Sequence, residues 1–296
     1  SENSKDSLLS IVQDLTQRKS FSILNARKVW KSSQAIRPWN MENLSVSYLY
    51  NEQRHRDLYT AHSFLKNYRA SLDYTFNNPS VTFKEPFKKP IWKTLNYNVI
   101  PSLLHFRMEV NRVYSENTFR DNANNNVLPT YYSKNFNTNR IYGISWDLTR
   151  NLRLDFNASN YAIIEEPNGR IDGARKDTIW NNFWRLGRNM DYNHMLNLTY
   201  TLPLNKLPYL EWMQVTTRYG SQFNWQSEPL NTLRNPNIDI GNSIQNNRTI
   251  QINPALNFNS LYNKFGFYRA RNTENGVFKN LLINLLTALK SANGAY

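Results

Sequence analysis

The chain has no cysteine, which excludes disulfides and thiolate metal sites and leaves the redox compartment open. No apolar run approaches the roughly 20 residues that a membrane-spanning helix needs, and the mean hydropathy is −0.68. A helical membrane protein is thereby excluded. A transmembrane barrel is not, because only alternate residues of its strands face lipid. Histidine is scarce: His55, His62, His105 and His194 are scattered, and none stands at a metal-ligand spacing such as HExxH. Acidic residues number 22 against 36 basic ones, giving a net charge of +14. The basic residues are spread along the chain, whereas a nucleic-acid-binding protein would concentrate them. Residues Ser1 to Ser7 lack the apolar core of a secretion signal, and the sequence is expected to be an excerpt of a longer polypeptide. Its 296 residues allow one or two domains.

What the chain does have is alternation. Between Asp191 and Trp225 two long segments flank the turn Pro203 to Pro208. In the first, Tyr192, Leu196, Leu198, Tyr200 and Leu202 share one parity and Asn193, Asn197, Thr199 and Thr201 the other. In the second, Met213, Val215, Tyr219, Phe223 and Trp225 interleave with Gln214, Thr216, Arg218, Gln222 and Asn224. Strand side chains alternate faces, so each segment has one apolar and one polar face. The alternation outlasts the five or six residues of an average soluble strand and matches what a tilted strand needs to cross a bilayer.

The pattern recurs. Leu44, Val46, Tyr48 and Tyr50 oppose Ser45 and Ser47, and from Lys66 to Asn77 Tyr68, Ala70, Leu72, Tyr74 and Phe76 oppose Arg69, Ser71, Asp73 and Thr75. Leu104, Phe106, Met108 and Val110 oppose His105, Arg107, Glu109 and Asn111. Tyr142, Ile144, Trp146 and Leu148 precede Thr149-Arg150-Asn151, after which Leu152, Leu154, Phe156 and Ala158 follow. Across that three-residue hairpin loop, pairing Trp146 with Leu154, Ile144 with Phe156 and Ser145 with Asp155 keeps one face apolar in a single register. An eighth strand carries Ile250, Ile252, Leu256 and Phe258, and Pro254 within it implies a bulge or an edge.

Eight antiparallel strands are therefore expected, all-β, within residues 42–259. Residues 1–41 form a lead-in with a short helix over Ser7 to Leu15 and a basic stretch from Arg18 to Lys28. Residues 260–296 hold an amphipathic helix from Val277 to Leu289 and the start of another strand. A short helix N-capped by Asp177 and stopped at Gly187 interrupts the loop 162–190. Long loops follow strands one, three, five and seven, at 51–63, 115–133, 162–190 and 226–246. Short turns follow strands four and six, and the connections after strands two and eight are exceptions. This resembles the asymmetry of outer-membrane barrels, with short periplasmic turns and long external loops.

Chemistry finds no foothold. His55-Arg56-Asp57 resembles a kinase catalytic loop, but the asparagine required five residues after the aspartate is His62. No nucleophile stands beside His105, and Glu165-Glu166 is expected to be solvated in a loop. Neither enzyme activity nor a cofactor is expected. Nucleic acid is excluded as a partner because the aromatics share a face with leucine and valine while the arginines face the other way.

The segments RPWNMENLSVSYLYNEQRHRD (37–57), LPTYYSKNFNTNRIYGISWDLTRNLRLDFNASN (128–160), IIEEPNGRID (163–172), LPLNKLPYLEWMQV (202–215) and NNRTIQINPALNFNSLYNK (246–264) resemble the SprA/Sov family. These are giant outer-membrane translocons of the bacterial type 9 secretion system, linked in some members to gliding motility. The resemblance implies that the strands are an arc of a much larger barrel in the outer membrane. Its implied partners are a PorV-type shuttle barrel, a periplasmic plug protein and secreted cargo with a C-terminal signal. A small self-closed barrel, a porin or receptor without a translocation role, is the alternative.

On the alternation, Leu72, Phe106, Ile144, Trp146, Leu154, Phe156, Leu196, Leu198 and Val215 face lipid. Arg69, Asp73, Arg107, Glu109, Arg153, Asp155, Gln214 and Arg218 line an aqueous lumen. Arg112 and Arg140 fall on the lipid parity toward the long-loop ends of adjacent strands. They are expected at the same depth of the outer interface, snorkelling to phosphates of outer-membrane lipids and lipopolysaccharide.

Overall fold

The computed structural model describes residues 13–29, 37–78, 82–84, 96–121, 126–204, 207, 209–229, 232, 240–264 and 287–295. Nine long strands form one antiparallel ladder in nearly sequential order. They are β1 (Leu15–Arg27), β2 (Leu44–Arg56), β3 (Thr60–Asn77), β4 (Leu103–Asp121), β6 (Tyr131–Asp147), β7 (Leu152–Ile163), β8 (Arg188–Leu202), β9 (Met213–Gln226) and β10 (Ser243–Asn257). Two short strands complete the sheet: β5 (Asn126–Val127) pairs with β4, and β11 (Ser291–Asn293) with β10. The sheet runs from β1 to β11, and these two end strands do not pair with each other. A self-closed eight-stranded barrel is not what these residues form.

The β6–β7 hairpin has the register that its turn length predicts: Trp146 opposes Leu154, Ile144 opposes Phe156 and Ser145 opposes Asp155. Thr149 and Leu152 exchange backbone hydrogen bonds of 3.2 and 3.4 Å across the turn. Pro254 makes no bulge, since β10 stays in register with β9 through the Pro254–Val215 pair, and it stands just past the last β10–β11 pair, Ala255–Asn293. The Pro254 carbonyl accepts from Gly294 N–H on the other side. A residue's N and C=O point the same way in an antiparallel ladder, so the missing N–H falls on the β11 side, beyond the last of the three β10–β11 pairs, and interrupts no β9–β10 bond.

Several expectations give way. The basic stretch from Arg18 is strand β1, and Leu15, expected in a helix, begins it. Residues 7–12 of that helix and 277–286 of the C-terminal one lie outside the described residues. The loop expected over 51–63 is mostly strand: β2 runs on to Arg56, β3 restarts at Thr60, and only residues 57–59 turn. Asp57 closes that turn by accepting from the amides of Tyr59 (2.8 Å) and Thr60 (2.5 Å). The Thr60 amide, with His55 assisting, holds the Asp57 carboxyl below its usual range. The loop expected over 115–133 shrinks likewise, because β4 continues to Asp121 and β6 starts at Tyr131.

As a result the long loops are not gathered on one side. One end of the sheet carries the connections 57–59, 122–130, 164–187 and 227–242, and the other carries 28–43, 78–102, 148–151, 203–212 and 258–290. We call these the helix end and the turn end.

Helix α1 (Ala174–Trp184) lies in the 164–187 connection and folds back over the sheet. Its N-cap is Gly173, and Asp177 sits inside the first turn. Ile179 and Phe183, four residues apart, pack with Ile164 and Ile171 on Phe136 and Val110 of the sheet. Phe136 and Phe183 stack at 6.0 Å. Gly187 stops the helix at φ +67°, and a Cβ there would stand 2.6 Å from the Ile163 carbonyl oxygen. A left-handed backbone and a backbone clash together exclude other residues. Gly187→Ala is accordingly expected to weaken the α1 fold-back by more than about 1 kcal/mol. Amide exchange should accelerate across residues 174–184 while the β6–β7 hairpin stays protected, and unchanged exchange over α1 would refute this role for Gly187.

Candidate functional site

Because side chains alternate and the ladder is in register, the pairs sort the sheet into two faces. One face reads Ser45, Asp73, Arg107, Ile141, Ser159, Asn193, Asn224 and Gln245 from β2 to β10. All eight residues expected to line a lumen share this polar face. All nine expected to meet lipid share the other, where Leu72 opposes Met108, Phe106 opposes Tyr142 and Val215 opposes Leu202. On that face Ile144, Phe156 and Leu196 are in line, as are Trp146, Leu154 and Leu198.

Six of the eight polar residues fall into two charge clusters. On β3 and β4, Arg107 bridges Asp73 (3.3 Å) and Glu109 (2.5 Å), and Arg69 donates to Asn111 (2.8 Å). On β7, Arg153 meets Asp155 at 3.1 Å and Asp147 of β6 at 3.9 Å, and Ser145 donates to Asp155 at 2.6 Å. The Arg107 and Arg153 side chains are about half exposed, so such pairs contribute little stability. Their effect is a wall whose charges are answered locally. Arg218 stands apart among Asn197, Thr199, Gln222, Asn247 and Gln251, lining a shallow hollow of about 450 Å³. It has no carboxylate within ion-pair distance among the described residues. Gln214 lies toward the turn end, paired with Ala255.

The apolar face has a border, and the border is slanted. Setting aside Thr217, an isolated hydroxyl between Val215 and Tyr219 on β9, the first polar or charged residue of that face on each strand, moving toward the helix end, is Glu52, Lys66, Arg112, Arg140, Asn160, His194, Ser221 and Arg248, from β2 to β10. Glu52 and Lys66 are level with Tyr114 of β4, whereas Ser221 and Arg248 are level with Leu104. The border thus descends about ten residues over the seven steps between these eight strands, or roughly 45° at about 3.3 Å per residue and 4.8 Å per step. Beyond it aromatic rings alternate with charges, as at Tyr114, Lys134, Tyr192 and Trp225.

Arg112 and Arg140 both belong to this border, on neighbouring strands. Along the ladder they are offset by four residues, since Arg140 opposes Met108. The expected lipid phosphates are replaced by protein. Arg112 donates twice to Glu166, at 2.5 and 3.0 Å, and its guanidinium lies 5.7–5.9 Å from the rings of Tyr68, Tyr114 and Phe136. Arg140 donates to Asn160 and, at 2.8 Å, to Asn189. Glu166, expected in solvent, has a side chain only 3% exposed. Its signal in the sequence is parity: Asn160, Ala162, Ile164 and Glu166 continue one face past the end of β7. Lys134 ties the same loop down by donating to the carbonyls of Pro167 (2.5 Å) and Gly169.

Among the described residues no group of three or more His, Asp or Glu side chains is placed to hold a metal ion. His55 and Asp57 are engaged in closing the β2–β3 turn. No protein-family model matches the chain and no curated protein matches it significantly.

Removing one partner of a desolvated, bidentate ion pair strands the other charge. Glu166→Ala should cost roughly 2–3 kcal/mol, less than full burial would give because Arg112 keeps some exposure. Pairing it with Arg112→Met should recover much of that loss. Additive losses in the double-mutant cycle would contradict the coupling.

Proposed function

We propose that this chain is an arc of a wide transmembrane β-barrel in a bacterial outer membrane, and that its polar face lines an aqueous passage. The observation that carries the proposal is the slant of the apolar border. A flat bilayer meets tilted strands along a line oblique to their register, and strands of membrane barrels tilt by about 35–45°. A soluble sheet packed on one layer has no reason to shift its apolar segment steadily from strand to strand. The described strands are also at least 12 residues long, apart from β5 and β11, where a tilted crossing needs about 9–11.

Among the described residues β1 and β11 each have a neighbour on one side alone, which favours an arc over a small closed barrel, because an unpaired edge in lipid costs several kcal/mol per backbone group and must continue into further strands. Locally answered charges, amides and hydroxyls on the polar wall suit passage of a large hydrated cargo with no fixed binding site. The SprA/Sov resemblance supplies the finer proposal: a protein-conducting translocon of the type 9 secretion system, exporting folded cargo with a C-terminal signal. A PorV-type shuttle barrel and a periplasmic plug protein are its proposed partners.

Leu154→Arg and Leu198→Arg are expected to cost about 2–4 kcal/mol each near the bilayer midplane, whereas Asn157→Arg and Thr199→Arg on the other face are tolerated. The readout is the amount of whole protein assembled in the outer membrane. Equal assembly of the four variants would reject the membrane placement.

A further inference from the structure

An open cleft of about 690 Å³ lies between α1 and the apolar face of the sheet, within the size range of ligand pockets. Its floor is Tyr48, Ala70 and Val110, on the apolar side of the slanted border, and Ile179 and Phe183 of α1 close one flank. Its lining also includes Lys66 of the border itself, with Arg170 of the covering connection and Lys176 of α1. None of these three has a carboxylate within ion-pair distance among the described residues. The neighbouring acids are already engaged: Glu116 by the Tyr114 hydroxyl, Glu52 by Tyr50 and Arg54, and Glu166 by Arg112. The Arg175 guanidinium donates to the Arg170 carbonyl at 2.8 Å, fixing that part of the rim to the helix. On α1, Trp180 at the mouth of the cleft and Trp184 are 59% and 75% exposed, the side chains that favour a membrane interface.

A pocket that is aliphatic and aromatic below and cationic above, at the boundary of an apolar band, is complementary to one kind of molecule. We propose that this cleft binds an anionic, phosphate-bearing membrane lipid. Its headgroup is held by Lys66, Arg170 and Lys176, and an acyl chain lies on Tyr48, Ala70 and Val110. The inference rests on the membrane placement of the apolar face. Arg112, which also lines the cleft beside Val110, does not compete for the headgroup, because Glu166 answers its charge. An acyl chain there replaces the packing that α1 gives the sheet on the adjoining residues Phe136 and Ile164.

The test uses the whole protein in nanodiscs of phosphatidylcholine containing a minor fraction of acyl-brominated lipid, with Trp180→Phe isolating the fluorescence of Trp180, which lines the cleft. Brominated phosphatidylglycerol should quench Trp180 at least several-fold more than brominated phosphatidylcholine. The Lys66→Gln/Arg170→Gln/Lys176→Gln variant should reduce that quenching to the phosphatidylcholine level. Equal quenching by the two lipids, or a preference untouched by the triple variant, overturns the inference while leaving the membrane placement intact. Loss of the preference on adding inorganic phosphate, or on adding an acidic peptide, reassigns the rim to a soluble anion and equally overturns it. Failure of the wild-type protein to enter the nanodisc sinks both the membrane placement and the lipid site.

Discussion

Everything from β2 to β10 depends on one antiparallel register held through the apolar segments of the strands. Within a ladder each backbone group finds its partner on the next strand, and a period of two then leaves no choice about which side chain faces where. From β2 to β10 the register shifts only near Thr60 and near Tyr161. Each shift lies at the helix end of its pair, past the apolar segment, and so leaves the two faces unmixed. A slip of one residue within the apolar segment would carry a row of leucines onto the polar wall and arginines onto the apolar side.

The same constraint makes the position of the apolar segment informative. Hydrogen bonds fix strands relative to one another, but they do not fix where along each strand the apolar residues fall. That placement is free, and here it follows a line at about 45° to the register. The charged members of the line are settled in different ways. Lys66 lies over the Phe64 ring, Arg112 is matched by Glu166, and Arg140 is held by two asparagines. The loop that supplies Glu166 also supplies α1, so the only cluster of buried apolar side chains among the described residues forms where this border is covered.

Strand interiors were legible in the sequence because leucine, phenylalanine and tyrosine recurring at period two fit a strand with one apolar face and fit a helix poorly. The β6–β7 hairpin was legible down to its pairs. The helix-end extensions were not. Asn51 to Arg56 and, apart from Phe119, Ser115 to Asp121 are polar on both parities, and their pairing comes from the ladder already formed below them. Strand β1 was hidden for the same reason, with Arg18, Lys19 and Arg27 masking the Phe21 and Ile23 that face Tyr50 and Tyr48. The shortening of the 51–63 and 115–133 loops follows directly: residues counted as loop were strand. The fold-back of α1 lay beyond pattern reading, since Ile179 and Phe183 announce a helix with one buried stripe but not the surface it covers.

The central claim is that the slanted border marks the edge of a bilayer, and one measurement addresses it directly. Leu72 and Trp225 are joined by an unbroken row of register pairs through Met108, Arg140, Asn160 and Tyr192, yet they lie on opposite sides of the border. Spin labels on Leu72→Cys and Trp225→Cys, in a chain with no cysteine of its own, would report their depths in the reconstituted whole protein. The account predicts Leu72 in the hydrocarbon and Trp225 at the aqueous interface, separated by roughly 17 Å along the membrane normal. Equal depths, or both labels in water, would contradict it.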